Sequence, residues 1–326
     1  MPIQKRIAFF GISKQTAKGA AAAAATFGLG TLGGSLLVVG IDQESDQITY
    51  SGTQRISPDE NRLGINPGAG VRTRAYPRSI GLLLFGSLGA IATTGVGPYS
   101  HVITPAATLP YLTAFTKLGT SEYARVPDCK VDSLRLSWSE RSPLEIEATL
   151  LAISAELGAA AWTITNDESA QPKFAPPGGT FKVDAAAGTP IVAKITGGEI
   201  TIANAISGIT LSASLYPDDV YEGEHTFDVS LTLMPDDFAE WRKAVTGTGT
   251  GTAPANVPIF GSFETKFQID ANTHLTLAAS RVAFFPDFPD ADPGGGPVEL
   301  VLPGRAKQPA TGNAFTATLS NFVVSY

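Results

Sequence analysis

The chain is poor in the residues that carry covalent and metal chemistry. Its 326 residues include one cysteine, three histidines and two methionines. A lone Cys129 excludes an internal disulfide and any multi-thiolate metal site. His101, His225 and His274 are far apart and show no metal-ligand spacing. His225 falls on the apolar side of an alternating stretch, where a hydrogen-bonded core histidine is expected. Neither a G-x-S-x-G nucleophile elbow nor a phosphate-binding P-loop occurs. Charged residues make up only 16% of the chain and the formal net charge is −7, so the basic patch of a nucleic-acid clamp is lacking. The longest apolar run, Ile80 to Ala92, is about half the length of a membrane-spanning helix and contains glycines. These absences assign no catalytic, cofactor-binding or metal-ligating residue, and no enzyme activity is expected.

What is abundant points elsewhere. With 34 Gly, 23 Pro and 43% hydrophobic residues, the composition suits a β-rich protein that hides surface in an assembly. It equally suits a loop-rich β protein that stays alone. The cleanest pattern runs from Cys129 to Ala152. Leu134, Leu136 and Trp138 alternate with Ser133, Arg135, Ser137 and Ser139; after a turn, Leu144, Ile146, Ala148 and Leu150 alternate with Glu145, Glu147 and Thr149. This predicts a β-hairpin with one dry and one wet face. The dry face requires a second layer, hence a sandwich. On the wet face, Glu145 and Glu147 have no visible catalytic partner.

The rest of the chain supplies the parts around that hairpin. In residues 1–27, Lys14 and Lys18 interrupt what would be the apolar region of a secretory signal, and an N-terminal arm or short docking helix is expected. Residues 28–33 spell GLGTLG, but no strand–glycine–helix order surrounds them, so the nucleotide-binding reading fails. Ile41 to Arg74 is polar and rich in turn residues and reads as a long functional connection with a return strand from Val71. Pro77 opens a helix running to about Leu88, and residues 166–190, centred on QPKFAPPGGT, read as a connector. Glu224 to Met234 alternates again, and Pro235-Asp236-Asp237 opens a second helix bearing Phe238, Trp241 and Val245 on one face. Residues 286–296, PDFPDADPGGG, lack the spacing of a calcium loop and read as a solvated turn.

The two halves present the same order of parts: a strand, a loop, a return strand, a helix, and then more strands. RTRAYPRSIGLLLFGSLG stands opposite SLTLMPDDFAEWRKAVTG, and SPLEIEATL falls in step with GPVELVLPG. The expected architecture is mainly β: a first domain over 28–165 and a second over 191–326, each a β-sandwich or barrel with a flanking α-helix.

GISKQTAKGAAAAAATF, RTRAYPRSIGLLLFGSLG, LPYLTAFTKLG and DCKVDSLRLSWSERSPLEIEATLLA together resemble the tail tube (major tail) proteins of long-tailed, siphovirus-like bacteriophages. The resemblance implies two tandem tail-tube-type domains and a structural virion protein. Such a protein is made in the host cytoplasm and self-assembles into stacked rings that form a DNA ejection channel. It implies, as partners, other copies of the chain in trimeric pseudo-hexameric or hexameric rings, the tape measure protein, and tail-tip and terminator proteins. DNA would transit without specific binding, with no cofactor and no membrane. On this reading Ser133, Arg135, Ser137, Glu145 and Glu147 line the lumen, and the acidic chain repels phosphate. Asp42, Glu44, Asp46, Asp59, Glu60 and Arg62 belong to a loop between rings. The alternative is a carbohydrate-binding or adhesin-like β-sandwich, which would display clustered exposed aromatics.

Overall fold

In a computed structural model describing residues 8–45, 60–119, 121–186, 188, 190–211, 214–288 and 297–326, the alternating stretches become strands. The first half runs β1 (Ala8–Lys14), β2 (Ala25–Gly33), β3 (Val38–Ser45), β4 (Glu60–Arg74), α1 (Ser79–Leu88), β5 (Gly89–Thr94), β6 (Tyr99–Pro105), β7 (Leu112–Leu118), β8 (Glu122–Ser139) and β9 (Glu145–Leu151). Short strands β10 (Glu156–Leu157) and β11 (Ile164–Asp167) follow. The second half runs β12 (Thr180–Asp184), β13 (Ile191–Val192), β14 (Ile195–Ala203), β15 (Ser207–Ile209), β16 (Asp219–Tyr221), β17 (Thr226–Leu233), α2 (Ala239–Thr246), β18 (Gly261–Gln268), β19 (His274–Phe284), β20 (Leu300–Ala306) and β21 (Thr316–Asn321).

One sheet joins the halves. Strands β3, β4, β9, β8, β14, β17 and β20 lie side by side in that order, every pair antiparallel. Long β8 serves two layers. Its first part pairs with β7 and its last part with β9 and β14, with register shifts between Leu112/Ala114 and Val131/Ser133 that bend it from one layer to the other. Beyond β7 the outer layer continues through β1, β2 and β11.

The same run of pairings recurs in the second half. β19 pairs with β18 along its length and with β20 at its end; β18 pairs with β12, and β12 with β13. Even the bulge is repeated: Leu112 opposite Cys129 precedes one register shift, and Gly261 opposite Val282 precedes the other. Strands β21, β6 and β5 then extend the second outer layer with a hairpin from the first half.

The dry faces meet in a single core that includes Leu134, Leu136, Ile146, Val71, Ile200, Leu231 and Leu302. All ten residues of α1 are buried, as its uninterrupted apolar sequence requires. A Cβ on Gly81 would sit 2.2 Å from the Tyr326 ring, so glycine there admits the C-terminal aromatic. Tyr326 donates its hydroxyl proton to the Arg78 carbonyl at 2.6 Å and receives a hydrogen bond from Asn321 Nδ2 at 2.7 Å.

Three expectations change. Residues 8–27 are not a free arm: β1 lies between β2 and β7, with Phe10 and Ile12 fully buried, because these two residues, two apart, fill core positions on one face of the strand. The expected connector contains β12, which pairs with β18. Between Ile41 and Arg74 the described residues form the β3–β4 hairpin, whose backbone pairing does not depend on apolar side chains. Its glycines mark close strand packing, since a Cβ on Gly68 would lie 2.5 Å from the Leu150 carbonyl. GLGTLG sits inside β2, where no helix N-terminus follows it.

Candidate functional site

The wet face of the seven-stranded sheet is ordered in rows. Reading across β4, β9, β8, β14, β17 and β20, one row is Arg72, Glu147, Arg135, Thr201, Asp228, Arg305. The neighbouring row is Arg74, Glu145, Ser137, Glu199, Ser230, Pro303. The period of two along each strand places these side chains on one face, and cross-strand neighbours approach closely enough to pair.

Opposite charges alternate along the first row, and they find partners within it and in the second. Arg72 Nη2 lies 2.7 Å from Glu145 Oε2. Arg135 bridges the two halves, with Nη1 3.6 Å from Glu147 Oε2 and Nη2 hydrogen-bonded to Glu199. Arg305 Nε donates to Asp228 Oδ1 at 2.6 Å. The hydrogen bond from Arg135 holds the Glu199 carboxyl below the usual carboxylate range. These pairs are open to solvent and add little stability. Their chemical effect is to occupy each other: Arg72, Arg135 and Arg305 all have carboxylate partners, leaving weak purchase for a polyanion. The four carboxylates of the two rows, Glu145, Glu147, Glu199 and Asp228, are each matched to an arginine, and Arg74 alone of the rows' arginines makes no ion pair among the described residues.

Of the five residues expected on this face, Ser133, Arg135 and Ser137 lie on β8 and Glu145 and Glu147 on β9, and the structure brings all of them together. What hairpin reasoning left out is the extent of the surface. Arg72, Glu199, Asp228 and Arg305 continue it across both halves. The signal was present in Glu224 to Met234, whose alternation puts Asp228 and Ser230 on the polar side. Near one end, Gly197 and Gly198 leave a cleft of about 960 Å³ lined by Ser139, Glu140, Arg141, Thr232 and Glu299 among others.

The residues expected in an inter-ring loop divide differently. Asp42 and Glu44 lie on β3, and Glu60 and Arg62 on β4. Asp46 and Asp59 fall outside the described residues. Asp42 accepts a hydrogen bond from Asn66 Nδ2 at 2.7 Å. Among the described residues β3 pairs only with β4, so its outer edge is open.

A second feature fixes how the halves sit together. The segment around β15 and β16 folds back on the first half, where Lys130 Nζ donates to Glu222 Oε1 at 2.9 Å and lies 4.4 Å from the Tyr111 ring centre. The Tyr111 hydroxyl donates to Asp219 Oδ1 at 2.7 Å. Asn204 Nδ2 ties this segment to the Ser87 and Val131 carbonyls.

Nothing in these arrangements places a nucleophile against a base. Cys129 is buried, donates its thiol proton to the Leu112 carbonyl and is pushed up to about 12 by burial, leaving it unreactive. No group of three or more metal-ligating side chains occurs among the described residues, and no described helix is long and apolar enough to cross a membrane. Trp138 is buried, Trp162 packs against Phe9, Phe115 and Tyr123, and Trp241 packs against Phe288. The tryptophans thus form no open aromatic platform for a sugar.

No curated protein matches the chain. The family model described as phage tail tube protein matches residues 6–314. That match takes in both halves of the joined sheet and its paired polar face, and the chain belongs to the phage tail tube protein family.

Proposed function

We propose that this chain is the repeating subunit of a phage tail tube, in which copies join into rings, the rings stack, and the paired polar face lines a channel for DNA. One observation supports the reading: the pairing order of the first half recurs in the second within one sheet, which reads as a joint between two equivalent units. The first unit contributes β3, β4, β9 and β8; the second contributes β14, β17, β20 and β19 in the corresponding order. Strand β8 meets β14 at that joint. Repeating the joint between chains satisfies the open edge of β3, which as an exposed edge would otherwise invite uncontrolled pairing. Two units per chain make three chains a pseudo-six-fold ring, and the recurring bulges and helices support two tandem tail-tube-type domains of common origin.

The channel reading follows from the face itself. Duplex DNA carries dense negative charge, and a lining of free arginines would hold it through counterion release. Arginines already matched to carboxylates present a hydrated surface over which phosphate slides. Asp42, Glu44, Glu60 and Arg62, on the β3–β4 hairpin, serve contacts between copies, including those between stacked rings. A tape measure protein would fill the bore during assembly, and tail-tip and terminator proteins would close its ends in a siphovirus-like virion. Synthesis takes place in the host cytoplasm.

Negative-stain electron microscopy of the purified protein, alone and with tail-tip complex, tests this function. Hollow tubes or rings are expected; particles that stay monomeric under both conditions would overturn it.

A further inference from the structure

The recurrence of pairings locates a second surface, and its use rests on the ring reading above. In the first unit, Tyr111 just before β7 and Lys130 on β8 form a cation-on-ring platform, with 4.4 Å between the ammonium nitrogen and the ring centre. The acidic segment of the second unit sits on that platform: Glu222 on Lys130 and Asp219 on the Tyr111 hydroxyl. In the second unit, the residue just before β18 is Phe260, the counterpart of Tyr111. Arg281 on β19, near the counterpart of Lys130, lies 3.9 Å over the Phe260 ring centre. Among the described residues no acidic side chain sits on this platform. Arg281 spends one Nη on the Gln308 carbonyl at 2.7 Å and makes no salt bridge among the described residues. Close by in sequence, Val257, three residues before Phe260, and Phe285, four after Arg281, are 69% and 60% exposed.

The segment seated on the first platform is inserted between β14 and β17. The matching connection in the first unit joins β3 to β4; its described flanks carry Asp42, Glu44 and Glu60, one basic Arg62, and the exposed apolar side chains of Ile41 and Leu63. Within one chain β3 and the β19 end of the second unit lie at opposite ends of the joined order. We infer that the Phe260–Arg281 platform, flanked by Val257 and Phe285, is the seat for the acidic β3–β4 hairpin of a second copy, the next chain in the ring. Acidic side chains on the hairpin pair with Arg281, and Ile41 or Leu63 covers the exposed Val257 and Phe285.

The test compares full-length wild type with three variants, all with folding verified by circular dichroism and melting. Arg281→Glu places acid against acid and raises the protein concentration for half-maximal assembly about tenfold, the change expected from losing one charge-assisted contact per joint. Val257→Asp, on an exposed position that folding does not need, has the same direction of effect. The triple variant Arg281→Glu, Asp42→Lys, Glu44→Lys restores the opposite charges and recovers assembly. Assembly of Arg281→Glu and Val257→Asp at wild-type concentration overturns the seat and leaves the tube reading standing. Failure of the triple variant to recover overturns the hairpin as occupant. Wild type that forms no ring with or without the tail tip overturns the tube reading and the seat with it.

Discussion

Replacing Glu168 by Gln should stabilise the protein in a pH-dependent way. Glu168 follows β11, is fully buried, and neither carboxyl oxygen makes a hydrogen bond of good geometry. Burial pushes its carboxyl up from 4.5 to about 7, against the opposing pull of the Arg78 guanidinium and backbone N–H at the start of α1; neighbouring Asp167 adds to the rise. The folded state thus holds a proton that the unfolded chain releases. The stability this confers is whole below about pH 4.5 and is lost as pH rises through about 7, where the ionised, buried carboxylate costs about 3 kcal/mol relative to its protonated form. A glutamine keeps the shape and carries no charge. Denaturant unfolding of wild type and Glu168→Gln, followed by tryptophan fluorescence from pH 4.5 to 8, reads the difference. The variant's advantage should be near zero at pH 4.5 and grow to a few kcal/mol by pH 8. A constant difference across that range would refute the reasoning, because only the titration of Glu168 makes it vary.

Other perturbations address the joints and the face. Lys130→Ala removes one partner of a buried pair whose side chains are 6% and 19% exposed, and should cost about 3 kcal/mol in chemical denaturation; the double change Lys130→Met, Glu222→Gln should recover part of it. Gly81→Ala drives a methyl into the Tyr326 ring and should cost about 1–3 kcal/mol, while speeding proteolysis of the C-terminal segment. Combined with Tyr326→Ala it should add little further. Replacing Glu147 and Glu199 by Gln frees Arg135 on the polar face. Tubes of that variant should retain duplex DNA in an electrophoretic shift that weakens with added salt, whereas wild-type tubes should not; equal behaviour of the two would remove the charge-pairing argument.

Much of this molecule could be read from residue order because the strands alternate so regularly. Leu134, Leu136 and Trp138 against Ser133, Arg135 and Ser137 fix which face of β8 is buried, and the structure follows that pattern. The second helix was legible from its opening Pro235-Asp236-Asp237, just ahead of Ala239–Thr246, and β17 from the alternation of Glu224 to Met234. Polar hairpins were not. Asp42 to Ser45 and Glu60 to Leu63 look like loop because their side chains are hydrophilic or exposed, yet backbone pairing, helped by the Asn66–Asp42 hydrogen bond, holds β3 to β4. The N-terminal residues misled through composition: alanines and lysines hid Phe10 and Ile12, which tertiary packing places in the core. Long-range partners were the least visible. Nothing local links Arg135 to Glu199, 64 positions away, until β8 and β14 are known to pair.

The central claim is that a chain of two equivalent units closes into a channel lined by the paired rows. A cryo-electron microscopy reconstruction of assembled tubes tests it most directly. The account predicts three chains per ring, with Arg72, Arg135 and Arg305 facing the bore and β3 of each chain meeting the second unit of its neighbour. A ring of six chains with a single unit lining the bore, or those arginines buried between subunits, would contradict it.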